Sequence, residues 1–466
     1  MIHITTLLLK GILLLGLATL LIIPCFSQIT PSFKSLRYEE DYAYLKMDSS
    51  RNWYKKTKYL SLSPTGNTYL SFGGDIRYQY FWFKNEDWGD TPQDKDGYIL
   101  TRYLAHADFR AGKNFRAFVQ LQSSLANGKE AEPSPVENSP LNLHQAFIDI
   151  TLPLNNTDHL TTRIGRQELL YGSQRLVSVR EGPNNRQSFD AARLLYKGTD
   201  WKADFFYSHS VRAQQQIFAD GFTKHTRFWG AYAVVNHIPF LQNADIYYFG
   251  LHKQQAAFDD GEGRELRHSI GTRLWNSTNN FRYDLEGVYQ FGSFGTKDIH
   301  AWTLSANTGY KFSQTKLQPE IGLKAELISG NASYTDNTLQ TFNPLFPRGA
   351  YFGLAALIGP ANLIDIHPSL DLDLTPKLIF GVDYDVFWRY SQHDGIYAPN
   401  VSLIYSGKDI SDKFIGQQFI TDLVYTPNNF LYFRGELTWF AAGDFLKAAG
   451  TGKDILFSAA TIQLKF

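Results

Sequence analysis

The sequence predicts an all-β chain: a transmembrane antiparallel β-barrel of about 18 strands. Three observations predict it. An export signal precedes a chain that then holds no cysteine, the composition is aromatic yet offers no helical span, and strand-length segments present an apolar face opposite a charged one. The stretch 71–82, "SFGGDIRYQYFW", shows the third. Its even positions include Phe72, Ile76, Tyr78, Tyr80 and Trp82, and its odd positions include Asp75, Arg77 and Gln79. Side chains on a strand alternate faces with a period of two, so charge lies on one face and aromatic surface on the other.

Residues 1–27 read as a secretory signal peptide. Lys10 precedes an apolar run from Gly11 to Ile23, and the small residues Cys25 and Ser27 place the cut after Ser27. A retained anchor is disfavoured because the run is short and Pro24 ends it. Lipidation at Cys25 is disfavoured by the proline before it. Cys25 is the single cysteine, so the mature chain has no disulfide, thiolate nucleophile or zinc–thiolate site. Lys+Arg and Asp+Glu are each 45, a balance that argues against a nucleic-acid partner. Aromatics reach 15%, yet mean hydropathy is −0.28 and no later run is long enough for a membrane helix. Alternating strands carry about half the apolar density of a spanning helix, which reconciles the two facts.

Residues 28–68 are expected to form a periplasmic leader ahead of a barrel at 69–466. The leader, with "LRYEEDYAYL" and "NWYKKTKYL", either plugs the barrel or lies against its mouth. The second is the simpler reading, since leaders are ordered where they dock.

The opening alternation recurs. Over 378–390, Leu378, Phe380, Val382, Tyr384, Val386, Trp388 and Tyr390 oppose Asp383, Asp385 and Arg389. Over 281–291, Phe281, Tyr283, Leu285, Tyr289 and Phe291 oppose Arg282, Asp284, Glu286 and Gln290. Over 431–439, Leu431, Phe433, Leu437 and Trp439 oppose Arg434 and Glu436. Over 364–374, Ile364, Ile366, Leu370, Leu372 and Leu374 oppose Asp365, His367, Asp371 and Asp373. Such runs match the roughly 9–11 residues that cross a bilayer on a tilted strand.

Short turns are expected at 112–114, 197–200, 276–280, 313–315, 375–377 and 426–429. Long polar segments are expected at 84–97, 124–143, 170–187, 212–224, 254–265, 329–361, 391–415 and 442–453. Short turns on the periplasmic side and long loops outside are the habit of outer-membrane barrels. Counting from Tyr69 to Phe466 gives about 18 strands with both ends on the periplasmic side; the count depends on whether 350–359 is a strand or folds inward. The chain ends in "DILFSAATIQLKF", with Phe466, Leu464, Ile462 and Ala460 in phase, which suits recognition by outer-membrane assembly machinery. A barrel of this size encloses water or a plug, so inward charge is tolerated. The inward positions mix Arg102, Arg116, Arg267, Arg273, Arg282, Arg389 and Arg434 with Asp108, Asp204, Asp284, Asp371, Asp383 and Asp385.

Catalytic signals are missing from the sequence. It has no HExxH pair, no GxSxG elbow and no GxxxxGK[ST] phosphate cradle. Loop acids Asp87, Asp90, Asp94, Asp96, Asp259 and Asp260 lack regular calcium-ligand spacing and read as a solvated surface. No enzyme activity, cofactor or metal is expected.

Two further segments carry a family signal. They are 163–196, "RIGRQELLYGSQRLVSVREGPNNRQSFDAARLLY", and 341–371, "TFNPLFPRGAYFGLAALIGPANLIDIHPSLD". With "GGDIRYQY" they make most of 36–466 resemble the alginate-export family of outer-membrane proteins. The resemblance implies a monomeric 18-stranded barrel whose charged lumen passes an anionic polysaccharide or related carbohydrate. It implies conduit roles for Asp75 and Arg77 in "GGDIR", Arg166 and Glu168 in "GRQE", Arg175 in "QRL", Arg186 and Asp190 in "RQSFD", and Arg348 in "FPRG". Arg389 and Arg434 join them as inward strand arginines. The lumen is less one-sidedly basic than a polyuronate conduit should be, which keeps other glycans and small hydrophilic solutes open. Expected partners are outer-membrane lipid, the solute, the assembly machinery and periplasmic export partners. A small-solute uptake porin is the alternative. So is a structural or adhesive barrel that acts through its loops at 329–361 and 391–415.

Overall fold

A computed structural model describes residues 32–50, 52–276 and 280–466. The expected signal peptide, and the middle of the turn expected at 276–280, lie outside those residues. Eighteen long strands form the wall. The first nine are β1 (Thr68–Lys84), β2 (Tyr98–Ala111), β3 (Phe115–Asn127), β4 (Ser139–Pro153), β5 (His159–Gln167), β6 (Phe189–Lys197), β7 (Trp201–Arg212), β8 (Gly221–Ile238) and β9 (Gln242–Phe258). The rest are β10 (Gly261–Trp275), β11 (Phe281–Phe294), β12 (Lys297–Lys311), β13 (Glu320–Ile328), β14 (Leu363–Thr375), β15 (Leu378–Arg389), β16 (Phe414–Tyr425), β17 (Leu431–Ala442) and β18 (Ile455–Lys465). Neighbours in sequence pair antiparallel, and β1 also pairs with β18, from Asp75 opposite Lys465 to Lys84 opposite Leu456. The sheet therefore closes. Lipid demands this, because an open strand edge would leave main-chain polar groups unsatisfied in hydrocarbon.

Alternation sets the two faces as the sequence predicts. Tyr78 is 45% exposed on the outer wall, whereas Arg77 beside it is 3% exposed and points inward. The seam uses the terminal phenylalanine. Gly74 N donates to Phe466 O at 2.9 Å, and Phe466 N donates to Gly74 O at 3.1 Å. A Cβ on Gly74 would come within 2.5 Å of the Phe466 ring, so glycine makes room for it. Arg37 bridges the seam from inside, donating to Gly74 O at 2.7 Å and Phe466 O at 2.9 Å.

One end of the barrel carries short connections, as between β2 and β3 at 112–114 and between β14 and β15 at 376–377. Long segments at 85–97, 168–188, 329–362 and 390–413 leave the other end. The long segment expected at 254–265 is instead a hairpin: β9 runs to Phe258, β10 begins at Gly261, and Asp259 and Asp260 turn the chain. Strand ends that rise beyond lipid are polar on both faces, so their alternation fades and they read as loop. Residues 350–359 form no strand; they fold inward with Tyr351 and Phe352 buried, which fixes the wall at 18 strands.

The interior is not the continuous wet tube that the strand count suggests. At the loop end, inward wall residues such as Phe249, Phe387 and Phe457 pack with Trp88, Phe346 and Phe445 from the in-folded segments. Two of those segments pair with each other in the lumen: Ser178 N donates to Phe346 O, and Phe346 N to Leu176 O, both at 2.8 Å. At the short-turn end the leader contributes. Tyr38 sits edge-on to the inward rings of Phe118 and Phe147, with centroids 6.1 and 5.3 Å away. A short helix α1 (Trp53–Lys58), capped by Asn52 Oδ1 accepting from Lys55 N, places Lys58 where its Nζ donates to Phe72 O at 2.9 Å.

Candidate functional site: a basic chamber in the lumen

The segment 168–188 crosses the barrel and is tied down on both sides. On one side Arg77 donates to the main-chain oxygens of Glu181 at 2.7 Å and Pro183 at 3.0 Å. Arg102, from the neighbouring strand β2, pairs with the Glu181 carboxylate. On the far wall, Arg175 Nε donates to Glu286 Oε2 of β11 at 3.1 Å, and its other nitrogens reach Glu326 of β13, Ser305 and Tyr351. Near its start, Glu168 accepts from Arg186 Nη2 at 3.2 Å and meets His144 Nε2 at 2.7 Å. Each bond is between buried or half-buried groups, where a charged hydrogen bond is strong and an orphaned charge costly.

Below this crossbar lies a chamber of about 530 Å³. Its walls come from β1, β14 to β18, the crossbar, residues 348–354 and the leader. Seven cationic side chains line it: Lys34, Arg37, Arg77, Arg186, Arg348, Arg434 and Lys465. They face three carboxylates, Asp75, Glu181 and Asp383, and one imidazole, His367, which is 2.9 Å from Asp383. Glu181 is the hub. Its side chain is 49% exposed while those of Arg102, Arg77 and Arg186 are almost fully covered, at 0%, 4% and 5%. Burial works to raise the Glu181 carboxyl, but the guanidinium groups of Arg102, Arg186 and Arg77 outweigh it and hold it well below the usual carboxylate range. The chamber can receive an anion and orient its charged groups among planar, bidentate donors.

Elsewhere in the lumen several charges neutralise each other within the wall. Arg116 pairs with Asp108 at 2.6 Å, Arg163 with Asp149 at 2.7 Å, and Arg273 with Asp284 at 2.7 Å. In the chamber, Arg37, Arg186 and Arg434 also pair with Glu40, Glu168 and Glu436 behind the lining, at 2.7, 2.8 and 2.7 Å, whereas Lys34, Arg348 and Lys465 have no carboxylate partner among the described residues.

Of the residues predicted for the conduit, Asp75, Arg77, Arg186, Arg348 and Arg434 face the chamber. Arg434 does so while paired to Glu436 at 2.7 Å. Glu168 and Arg175 hold the crossbar. Three predictions are corrected. Arg166 and Asp190 are register partners, joined at 2.7 Å, but they sit on the outer wall. They share its parity with Ile164 and Leu194, which are 56% and 41% exposed. The motif "GRQE" straddles the end of β5, so its arginine and glutamate point to opposite faces. Arg389 is inward but fully buried among main-chain oxygens of Gln392, Asp394, Ile410 and Asp412, above the Phe445 ring. It staples the segment 390–413 and does not line the chamber.

Sequence reasoning missed Lys465, Glu181, Lys34 and Arg37. Lys465 was within reach, since it lies in phase with inward Thr461 and Gln463. The other three are on irregular chain that carries no periodic signal.

A closed wall of 18 antiparallel strands around a charged lumen defines a porin-type channel of the outer membrane. The model of the family described as Alginate export matches residues 68–454, and the chain belongs to that family. No curated protein matches its sequence. Among solved structures it is similar in fold to a BenF-like porin from Pseudomonas fluorescens Pf-5, at 11% identity and TM-score 0.57, covering 85% of this chain and 98% of that one. It is likewise similar to Pseudomonas aeruginosa OccK2 (OpdF) in complex with glucuronate, at 11% identity and TM-score 0.54, covering 88% and 99%. Pseudomonas aeruginosa OpdK with vanillate gives 11% identity and TM-score 0.56 over 88% and 99%.

Proposed function

We propose that the chain is a passive channel for a hydrophilic anion of carbohydrate type, a sugar acid free or within a polysaccharide. The chamber carries this reading: seven cationic side chains and three carboxylates line it, and three of the cations, Lys34, Arg348 and Lys465, have no carboxylate partner among the described residues. Binding there is multivalent but shared with internal carboxylates, so an anion is attracted and still able to leave. Membership of the alginate export family supports the polysaccharide form. A chamber of about 530 Å³ suits one or a few sugar units, and the fold-level neighbours whose structures hold glucuronate or vanillate support the small-solute form. In this reading the long loops face outward and the short turns face the periplasm.

Planar-bilayer recording tests it. Under a salt gradient the reversal potential is expected to show anion preference, and glucuronate is expected to reduce chloride current by occupying the chamber. Cation preference, or no glucuronate effect alongside intact conductance, would sink the proposal.

A further inference from the structure

The outer wall carries a second arrangement of charge, unrelated to the lumen. One register row runs across five strands at the loop end: Arg166 opposite Asp190, Asp190 opposite His209, His209 opposite Arg227, and Arg227 opposite His252. Asp190 neutralises Arg166 at 2.7 Å. Further along the row the balance is lost. Arg264 Nε lies 3.0 Å from His252 Nε2, and neither Arg227 nor Arg264 has a carboxylate partner among the described residues. Both arginines are exposed and share the outer face with His252.

Directly beneath this row, toward the membrane midplane, the wall is hollowed. Two adjoining depressions of about 530 and 980 Å³ run down it. Their floor is made of small outward residues, Ala192, Ala231, Ala233 and Gly287, and their rims are Phe205, Tyr248, Ile270 and Leu304. Trp229 stands at the top of the hollow, two residues from Arg227, which is about 7 Å along the strand. Apolar grooves alone say little on a wall that meets lipid everywhere. Here the groove ends under two arginines that have no carboxylate partner among the described residues.

We propose that this face is a binding site for one phosphorylated acyl lipid of the loop-side leaflet. Its acyl chains would lie in the hollow, and its phosphate would be bound by Arg227 and Arg264, with His252 accepting from Arg264 Nε and holding that guanidinium in place. With loops outward, that leaflet is the one built of phosphorylated glycolipid. Phosphate is the complement the row lacks, because arginine forks bind its oxygens bidentately and two converging guanidinium groups need an anion.

Native mass spectrometry of the detergent-purified full chain tests the site. The chain is titrated with phosphorylated lipid A, with the same lipid stripped of phosphate, and with inorganic phosphate. Wild type is expected to hold one phosphorylated lipid at an occupancy about tenfold above the stripped lipid, the loss expected for one charged hydrogen bond or more. Arg227→Ser/Arg264→Ser is expected to lose that tenfold preference, and Ala231→Leu/Gly287→Leu to weaken both lipids by filling the hollow. Heat-modifiable gel migration verifies that each variant is a folded barrel. Equal retention of the two lipids by wild type would overturn the proposal. So would an unchanged double-serine variant, full competition by inorganic phosphate alone, or a second copy of the chain as the occupant.

Discussion

Replacing Glu181 with glutamine isolates the charge balance of the chamber. The carboxylate is ionised across the working range, because three guanidinium groups hold its pKa down, so Glu181→Gln removes one full negative charge. Seven cations then face two carboxylates. The crossbar is expected to stay in place. Arg77 holds it through the main-chain oxygens of Glu181 and Pro183, which the substitution leaves intact, and a half-exposed side chain tolerates an isosteric amide. A permeating anion about 6 Å away, at an effective dielectric of about 40 between protein and water, gains about 1.4 kcal/mol when one repelling charge is lost. That corresponds to about tenfold in occupancy. The assay is the reversal potential in planar bilayers under a salt gradient. The anion-to-cation permeability ratio is expected to rise by up to about tenfold near 0.1 M salt and far less at 1 M, where screening reaches only about 3 Å. Arg434→Gln is expected to move the ratio the other way. A folded Glu181→Gln barrel whose ratio stays put or falls would refute the idea that Glu181 tempers the chamber.

Three further outcomes are expected. Arg175→Met strands the buried carboxylates Glu286 and Glu326 without their shared cation, and should cost about 3–5 kcal/mol; a lower temperature for loss of heat-modifiable migration checks it, and an unchanged one contradicts it. Arg389→Ala orphans four main-chain oxygens and should make 390–413 protease-sensitive while leaving ion selectivity unchanged, since the residue does not line the chamber. Burial, reinforced by Arg37, pushes the Lys58 ammonium down to about 7, so the docked leader binds fewer protons than a released one between that value and the ordinary 10.5. Docking should therefore weaken by about 1.4 kcal/mol per pH unit as pH falls from about 10.5 to 7 and be level below 7. Proteolysis of the leader against pH reads this slope, which Lys58→Met should abolish, and a slope of opposite sign would rule the account out.

The sequence alone determined the wall. A period of two is local, so Asp75 and Arg77 against Tyr78 and Tyr80 specify which face meets lipid before any partner strand is known, and recurrence plus the need to close gave the strand number. The same locality explains the miss at 254–265, where strands leave the bilayer and both faces turn polar. Arg166 shows a subtler limit: the strand ends at Gln167, inside the motif, so the period of two that would put Arg166 and Glu168 on one face stops between them. What filled the tube was decided by tertiary structure. Arg77, Arg102 and Arg186 come together around Glu181 because an irregular segment spans the lumen, and Arg389 disappears under another such segment. Arg77 and Arg102 meet Glu181 across 104 and 79 positions of sequence, through chain that has no period, and the energy of all these contacts depends on which charges end up buried together. Periodicity carries no record of that; only the folded interior does.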